Sequence, residues 1–196
     1  MIGGKNMLAV SLLEIRNNID KIKEIDNLNP EYIHLDIMDG IFVDNITDMS
    51  NLPILRNKKD IHLMVSDVRK YIDIYKKYNP EYITFHLEAT DNPNELIDYL
   101  HSLGIKVGLS IKPGTDVLAL SPYLDKIELV LVMSVEPGKG KQAFMMSSID
   151  KVEQLDKLRK ENNYKYVIEI DGGINIETKK LVPACDIFVV GSYITL

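Results

Sequence analysis

Short apolar runs alternate with amphipathic, charge-rich segments along the whole chain, and this alternation restricts the fold more than any single residue does. Strand-like runs fall at residues 7–13, 31–38, 60–65, 81–88, 105–111, 127–135, 166–171 and 186–191. Between them, the spacing of Ile15, Ile19, Ile22 and Ile25 predicts a helix over 14–25. Asp67 is placed to cap a helix reaching about residue 78, and Pro93 to open one that runs to Leu103 before Gly104. Further helices are expected near 117–124, 148–162 and 175–181, with a short helical turn around 51–56. Several runs, 127–135 above all, are apolar on both faces, the pattern of parallel strands covered by helices. Eight such units favour a closed (β/α)8 TIM barrel over an open doubly wound sheet. With no linker or low-complexity segment, a single domain over 1–196 is expected. Residues 191–196 follow the eighth run directly, so the final C-terminal helix of a complete barrel is expected to be lacking.

Composition narrows the partners. A net charge of −6 and a pI near 5.3 argue against a nucleic-acid or anionic-membrane surface. An anionic substrate must then be held locally, by backbone amides, a metal or a helix N-terminus. The single cysteine, Cys185, excludes an intrachain disulfide and a thiolate cluster, and its apolar neighbours mark it as a core residue. No apolar run approaches the ~18 residues of a membrane span, and no signal-peptide core is present, so a soluble cytoplasmic protein is expected.

Barrel enzymes carry their functional groups at the C-terminal ends of the strands. In residues 34–40, His34, Asp36 and Met38 share one strand face, with Leu35 and Ile37 on the other. A buried His and Asp cost desolvation unless a partner, a metal or a substrate compensates them; the plainer alternative is a satisfied core histidine beside a capping aspartate. His34, Asp36, His62 and Asp171, from the second, third and seventh runs, could converge on a divalent metal. Imidazole with carboxylate and no thiolate suits zinc, iron, manganese or cobalt. Gly172-Gly173 and Gly191-Ser192 follow the seventh and eighth runs, where barrels bind phosphate through backbone amides, although glycines there can also simply turn corners. Residues 138–142, Gly-Lys-Gly-Lys-Gln, have the character of a loop that covers phosphate. His86 and Glu88 read better as a hydrogen-bonded structural pair than as ligands, and His101 as a surface residue. Met38, Met64 and Met133 could be core, or a pliable apolar wall over a bound sugar.

Seven spaced blocks together resemble the ribulose-phosphate 3-epimerase family. They are residues 34–40 (HLDIMDG), 62–65 (HLMV), 85–90 (FHLEAT), 108–115 (GLSIKPGT), 132–138 (VMSVEPG), 169–174 (EIDGGI) and Gly191-Ser192. The resemblance runs in order from about residue 9 to 194. It implies an isomerase that interconverts D-ribulose 5-phosphate and D-xylulose 5-phosphate, a step of the pentose phosphate pathway, on a barrel with one divalent metal. Zinc is the first expectation, with iron, manganese or cobalt as alternatives. By position, His34, Asp36, His62 and Asp171 would be the metal ligands, and Asp36 and Asp171 also the acid/base pair. His62 and Ser11 would contact the substrate, Met38, Met64 and Met133 would line the cavity, and Gly138, Gly140, Gly172, Gly173, Gly191 and Ser192 would serve its phosphate.

The sequence departs from the family pattern in its first loop, with Val10 for a usual proline, and at Asp44, where proline is also usual. Lys139 and Lys141 replace an aromatic residue and a glycine, which would strengthen phosphate attraction or alter loop closure. A 3-epimerase of a six-carbon ketose phosphate such as allulose 6-phosphate would use the same ligands, and an inactive, truncated barrel is the non-catalytic alternative. A decarboxylase of the orotidine 5′-phosphate type is disfavoured, because it relies on an Asp/Lys array where this chain offers histidines. The expected partners are a phosphorylated ketose and further copies of the chain in a homo-oligomer.

Overall fold

In the computed structural model, which describes residues 6–47, 49 and 52–191, eight parallel strands close on themselves. They are β1 (Met7–Ser11), β2 (Tyr32–Asp39), β4 (Lys58–Met64), β5 (Tyr82–His86), β6 (Lys106–Ile111), β7 (Leu129–Met133), β8 (Val167–Asp171) and β9 (Ile187–Val190). Neighbours in the chain are neighbours in the sheet, and β1 pairs with both β9 and β2, which completes the ring. The helices are α1 (Ile19–Asn27), α2 (Val68–Tyr75), α3 (Pro93–Ser102), α4 (Ser147–Asn162) and α5 (Ile176–Lys179). The (β/α)8 barrel expected from the alternation is therefore the observed fold.

Local chemistry explains where the elements begin and end. Asp67 caps α2, its carboxylate accepting from the Lys70 N–H at 3.1 Å. Pro93 occupies the first turn of α3, and Gly104, at φ +72°, turns the chain out of it. The helix expected over 14–25 is interrupted: a 3-10 turn covers Leu13–Ile15, and α1 starts afresh after Asn18, whose side chain accepts from Lys21 N–H. The segment expected at 117–124 narrows to a 3-10 turn, Val117–Leu120.

The helical turn expected around 51–56 is not formed in Leu52–Arg56. Pro53 disfavours helical backbone at the residue before it. The Asp26 carboxylate instead takes the N–H groups of Arg56 and Asn57, so this segment needs no helix to satisfy them. An unexpected element, β3 (Ile46–Thr47), folds back antiparallel on the end of β2.

The apolar core is divided. The larger cluster lies between strands and helices and includes Leu35, Ile37, Ile61, Leu63, Val130, Val132, Ile168 and Ile170. A smaller one, with Ala9, Leu129, Leu131, Met133, Ile187 and Val189, fills one side of the interior. Alternation puts buried polar residues on the remaining strands, among them His34, Asp60, His62, Thr84, His86, Ser110 and Glu169. Gly108 makes room for them, since a Cβ there would lie 2.9 Å from Thr84 Cβ and 3.0 Å from Leu129 Cδ2. Gly108→Ala is expected to cost about 1–3 kcal/mol through overpacking. Thermal unfolding measures this as a fall of ~2–4 °C per kcal/mol; an unchanged midpoint would show that the interior yields.

Candidate active site and metal centre

Strand register assembles the polar cluster. On β2 and β4, His34 stands level with Asp60 and Asp36 with His62, and Ser11 on β1 stands level with His34. Asp171 ends β8 opposite Met133. The Asp36 Oδ1 atom lies 3.4 Å from His34 Nε2 and 3.4 Å from His62 Nδ1, while its Oδ2 accepts from the Ser11 hydroxyl at 2.7 Å. The far side of each ring is held, His34 Nδ1 by Asp60 Oδ2 at 2.6 Å and His62 Nε2 by His86 Nε2 at 2.9 Å. This leaves His34 Nε2 and His62 Nδ1 buried without a hydrogen-bond partner. One ligand atom from each of His34, Asp36, His62 and Asp171 lies within 4.8 Å of the others. Two unpartnered imidazole nitrogens beside two carboxylates are a donor set that fits a divalent cation, which would relieve their desolvation.

Electrostatics set the two aspartates apart. Burial would raise the Asp36 carboxyl, but the adjacent His34 charge holds it far below the usual range. Burial would lower His34, yet the charges of Asp36 and Asp60 push it well up. Asp171 goes the other way, raised to about 6 by burial and then by the charge of Asp36. Glu169, two residues before it on the same strand face, is raised well above the usual carboxylate value by burial and by Asp60.

Above this floor lies a cavity of about 590 Å³ lined by Ser11, Asp36, Met38, Met64, Met133, Gly138, Gly140, Asp171, Gly172, Gly173 and Gly191. Thus the structure gathers the residues singled out in the sequence, with His34 and His62 behind Asp36. Ser192 lies outside the described residues. The three methionines are almost wholly buried; Met38 and Met64 pack with Leu13 and Val43. At Gly172, φ is +117° and a Cβ would fall 2.5 Å from Val135 Cγ2, so this corner needs glycine.

The loop after β7 is tied down on two sides. Asn45 donates to the Gly138 carbonyl at 3.2 Å, and Lys141 Nζ sits 2.8 Å from Glu14 Oε2. Asp39 closes the turn after β2, accepting from the Ile41, Phe42 and Ser66 N–H groups. His86 and Glu88 form the expected pair at 3.3 Å, and His101 is exposed beside Glu128. Asp60 and Glu169 were not anticipated. Each lies two residues before a singled-out residue on the same strand, so the period of two is the signal that points to them.

A closed parallel barrel that gathers histidines and carboxylates at the C-terminal strand ends, under an open cavity, has the layout of a barrel enzyme. Over residues 7–195 the chain matches the ribulose-phosphate 3 epimerase family. It belongs to that family, and is an isomerase of the epimerase class. The ribulose-phosphate 3-epimerase of Treponema pallidum (strain Nichols) is 40% identical over 83% of this chain and 78% of its own length. That of Bacillus subtilis (strain 168) is 32% identical over 88% and 83%. Among solved structures, KGPDC from Streptococcus mutans superposes with a TM-score of 0.66 at 13% identity, over 97% of this chain and 89% of its own. Tryptophan synthase from Mycobacterium tuberculosis does so with a TM-score of 0.66 at 10% identity, over 96% and 83%. These two likenesses establish the barrel alone.

The raised Asp171 carboxyl has a consequence for stability. Its proton is held more tightly in the folded chain, so stability falls as pH rises from about 3.8 to about 6 and stays lower above that. In the metal-free protein, Asp171→Asn is expected to gain on the order of 1–3 kcal/mol at pH 7. The gain should fade below pH ~4, where the carboxyl is protonated in both states. Urea unfolding at the two pH values measures the difference, and an equal effect at both would refute the shift.

Proposed function

We propose that the protein interconverts D-ribulose 5-phosphate and D-xylulose 5-phosphate by moving a proton at C3, with Asp36 and Asp171 as the acid/base pair. The observation that carries this reading is the opposed environment of the two carboxylates within one cluster. Asp36 is held ionised and Asp171 is raised to about 6, so near neutral pH Asp171 is the more basic of the two and the one that more easily takes and holds a proton. Two groups pushed apart in this way suit a reaction that needs both an acid and a base. Inversion at C3 removes a proton on one face of the carbon and returns one on the other; the residues exchange roles in the reverse direction.

His34, Asp36, His62 and Asp171 are the side chains that would hold one divalent cation, zinc before iron, manganese or cobalt. Bound there, it would supply positive charge to the oxygens on which the enediolate develops. Ser11 holds the second oxygen of Asp36 and orients its carboxylate. Met38, Met64 and Met133 exclude water and shape a wall against the sugar carbons. Gly138, Gly140, Gly172, Gly173, Gly191 and Ser192 would offer backbone to the phosphate.

Epimerisation assayed with metal removed and restored tests the activity, and exchange of the C3 proton in heavy water tests the pair. Asp36→Asn and Asp171→Asn should each lower kcat by ~10²–10⁴-fold. Each metal-loaded variant should retain C3 exchange for one epimer at most, because each aspartate serves one face. Near-wild-type turnover in either variant would remove that residue from the acid/base role.

A further inference from the structure

His86 takes no part in the chemistry proposed above, yet it is fully buried at the end of β5 and points a ring nitrogen at His62. Two imidazole nitrogens 2.9 Å apart must share one proton: both bare would repel, and both protonated would clash. Which ring owns that proton is decided one step further out. His86 Nδ1 faces Glu88 Oε2 at 3.3 Å, and a carboxylate can only accept, so the His86 proton belongs on Nδ1. Glu88 is itself anchored, its other oxygen accepting from the Lys112 N–H at 2.9 Å and from the Thr115 hydroxyl. The Phe42 ring, with its centroid 4.9 Å from that of His86, covers the imidazole. His86 Nε2 is then bare and accepts, His62 must donate from its own Nε2, and His62 Nδ1 is left bare. That is the buried, unpartnered atom that lies 3.4 Å from Asp36 Oδ1.

We propose that His86, backed by Glu88, is a positioning residue that fixes the Nε2–H tautomer of His62 and so keeps Nδ1 open to a cation. The proposal rests on the reading of His34, Asp36, His62 and Asp171 as ligands. The two candidate imidazole ligands are thereby set in different ways. His34 is oriented directly by the Asp60 carboxylate, whereas His62 is oriented by a neutral ring that relays the preference of a carboxylate two steps away. Partners of this kind typically contribute 10–100-fold in metal affinity.

Two measurements test it. In metal-free wild-type protein, the ¹⁵N shifts of His62 should report Nε2–H with Nδ1 bare; a proton on Nδ1 overturns the proposal without any variant. Cobalt(II) affinity by chelator competition should fall about 10–100-fold in His86→Leu and be largely restored in His86→Gln, whose carbonyl can still accept from His62. If folded His86→Leu binds cobalt as tightly as wild type, or if His86→Gln is no better than His86→Leu, the positioning role is refuted. Should wild-type protein bind no cobalt at all, the ligand reading itself fails, an outcome distinct from equal binding by both proteins.

Discussion

Everything at the functional end of this barrel depends on holding one ionised carboxylate, that of Asp36, inside the ring of strands. Moving such a charge out of water costs several kcal/mol unless partners surround it. His34 on the same strand and Ser11 on β1 do so, with His62 of β4 beside them, which is possible only because β1, β2 and β4 run parallel in the observed register. A slip of one residue on β2 would turn Leu35 and Ile37 inward and throw His34 and Asp36 among the helices. The apolar packing between strands and helices therefore does two things at once. It supplies the burial energy of the fold, and it makes the alternative register prohibitive.

The barrel interior shows the cost of this arrangement. Aliphatic residues from β1, β7 and β9 fill part of it, while the side formed by β2, β4, β5 and β6 carries His34, Asp60, His62, Thr84, His86 and Ser110, and Glu169 projects from β8 between β7 and β9. Some of these have no partner: Thr84 Oγ1, Ser110 Oγ and both Glu169 oxygens are buried without a hydrogen bond. Burial lifts the Glu169 carboxyl well above its ordinary range, and neutrality is the cheaper state for such a group. A barrel selected for stability alone would fill this side with aliphatic residues too. Asp60 and His86 are explained by the side chains above them, His34 and His62, whose rings they orient.

Much of this was legible in the chain because it is local. Strand alternation put His34 and Asp36 on one face, helix caps such as Asp67 lay where their chemistry requires, and the glycines after β7 and β8 marked the cavity rim. The same period of two would have revealed Asp60 and Glu169, each two residues before a recognised group. What stayed hidden is long-range. The segment around Leu52–Arg56 reads as helical until Asp26, thirty residues earlier, is seen to take its N–H groups. No local pattern announces β3, which exists because Thr47 accepts from the Met38 N–H and donates to the Asp36 carbonyl. The junction of His86 with His62 likewise needs β4 and β5 to be neighbours.

Long-range contacts also change the meaning of the two lysines in the loop after β7. On composition alone they add two positive charges where a chain of net charge −6 most needs them. In the fold, Lys141 is paired with Glu14 and its charge is largely neutralised, while Gln142 bonds the Glu136 and Lys139 carbonyls and draws the loop on itself. Lys139 lines the cavity and has no ion-pair partner among the described residues. The attraction this loop offers an anion is therefore that of one lysine together with backbone N–H groups. The second lysine acts on the loop itself, joining it to the segment after β1 and so to the strand whose Ser11 holds Asp36.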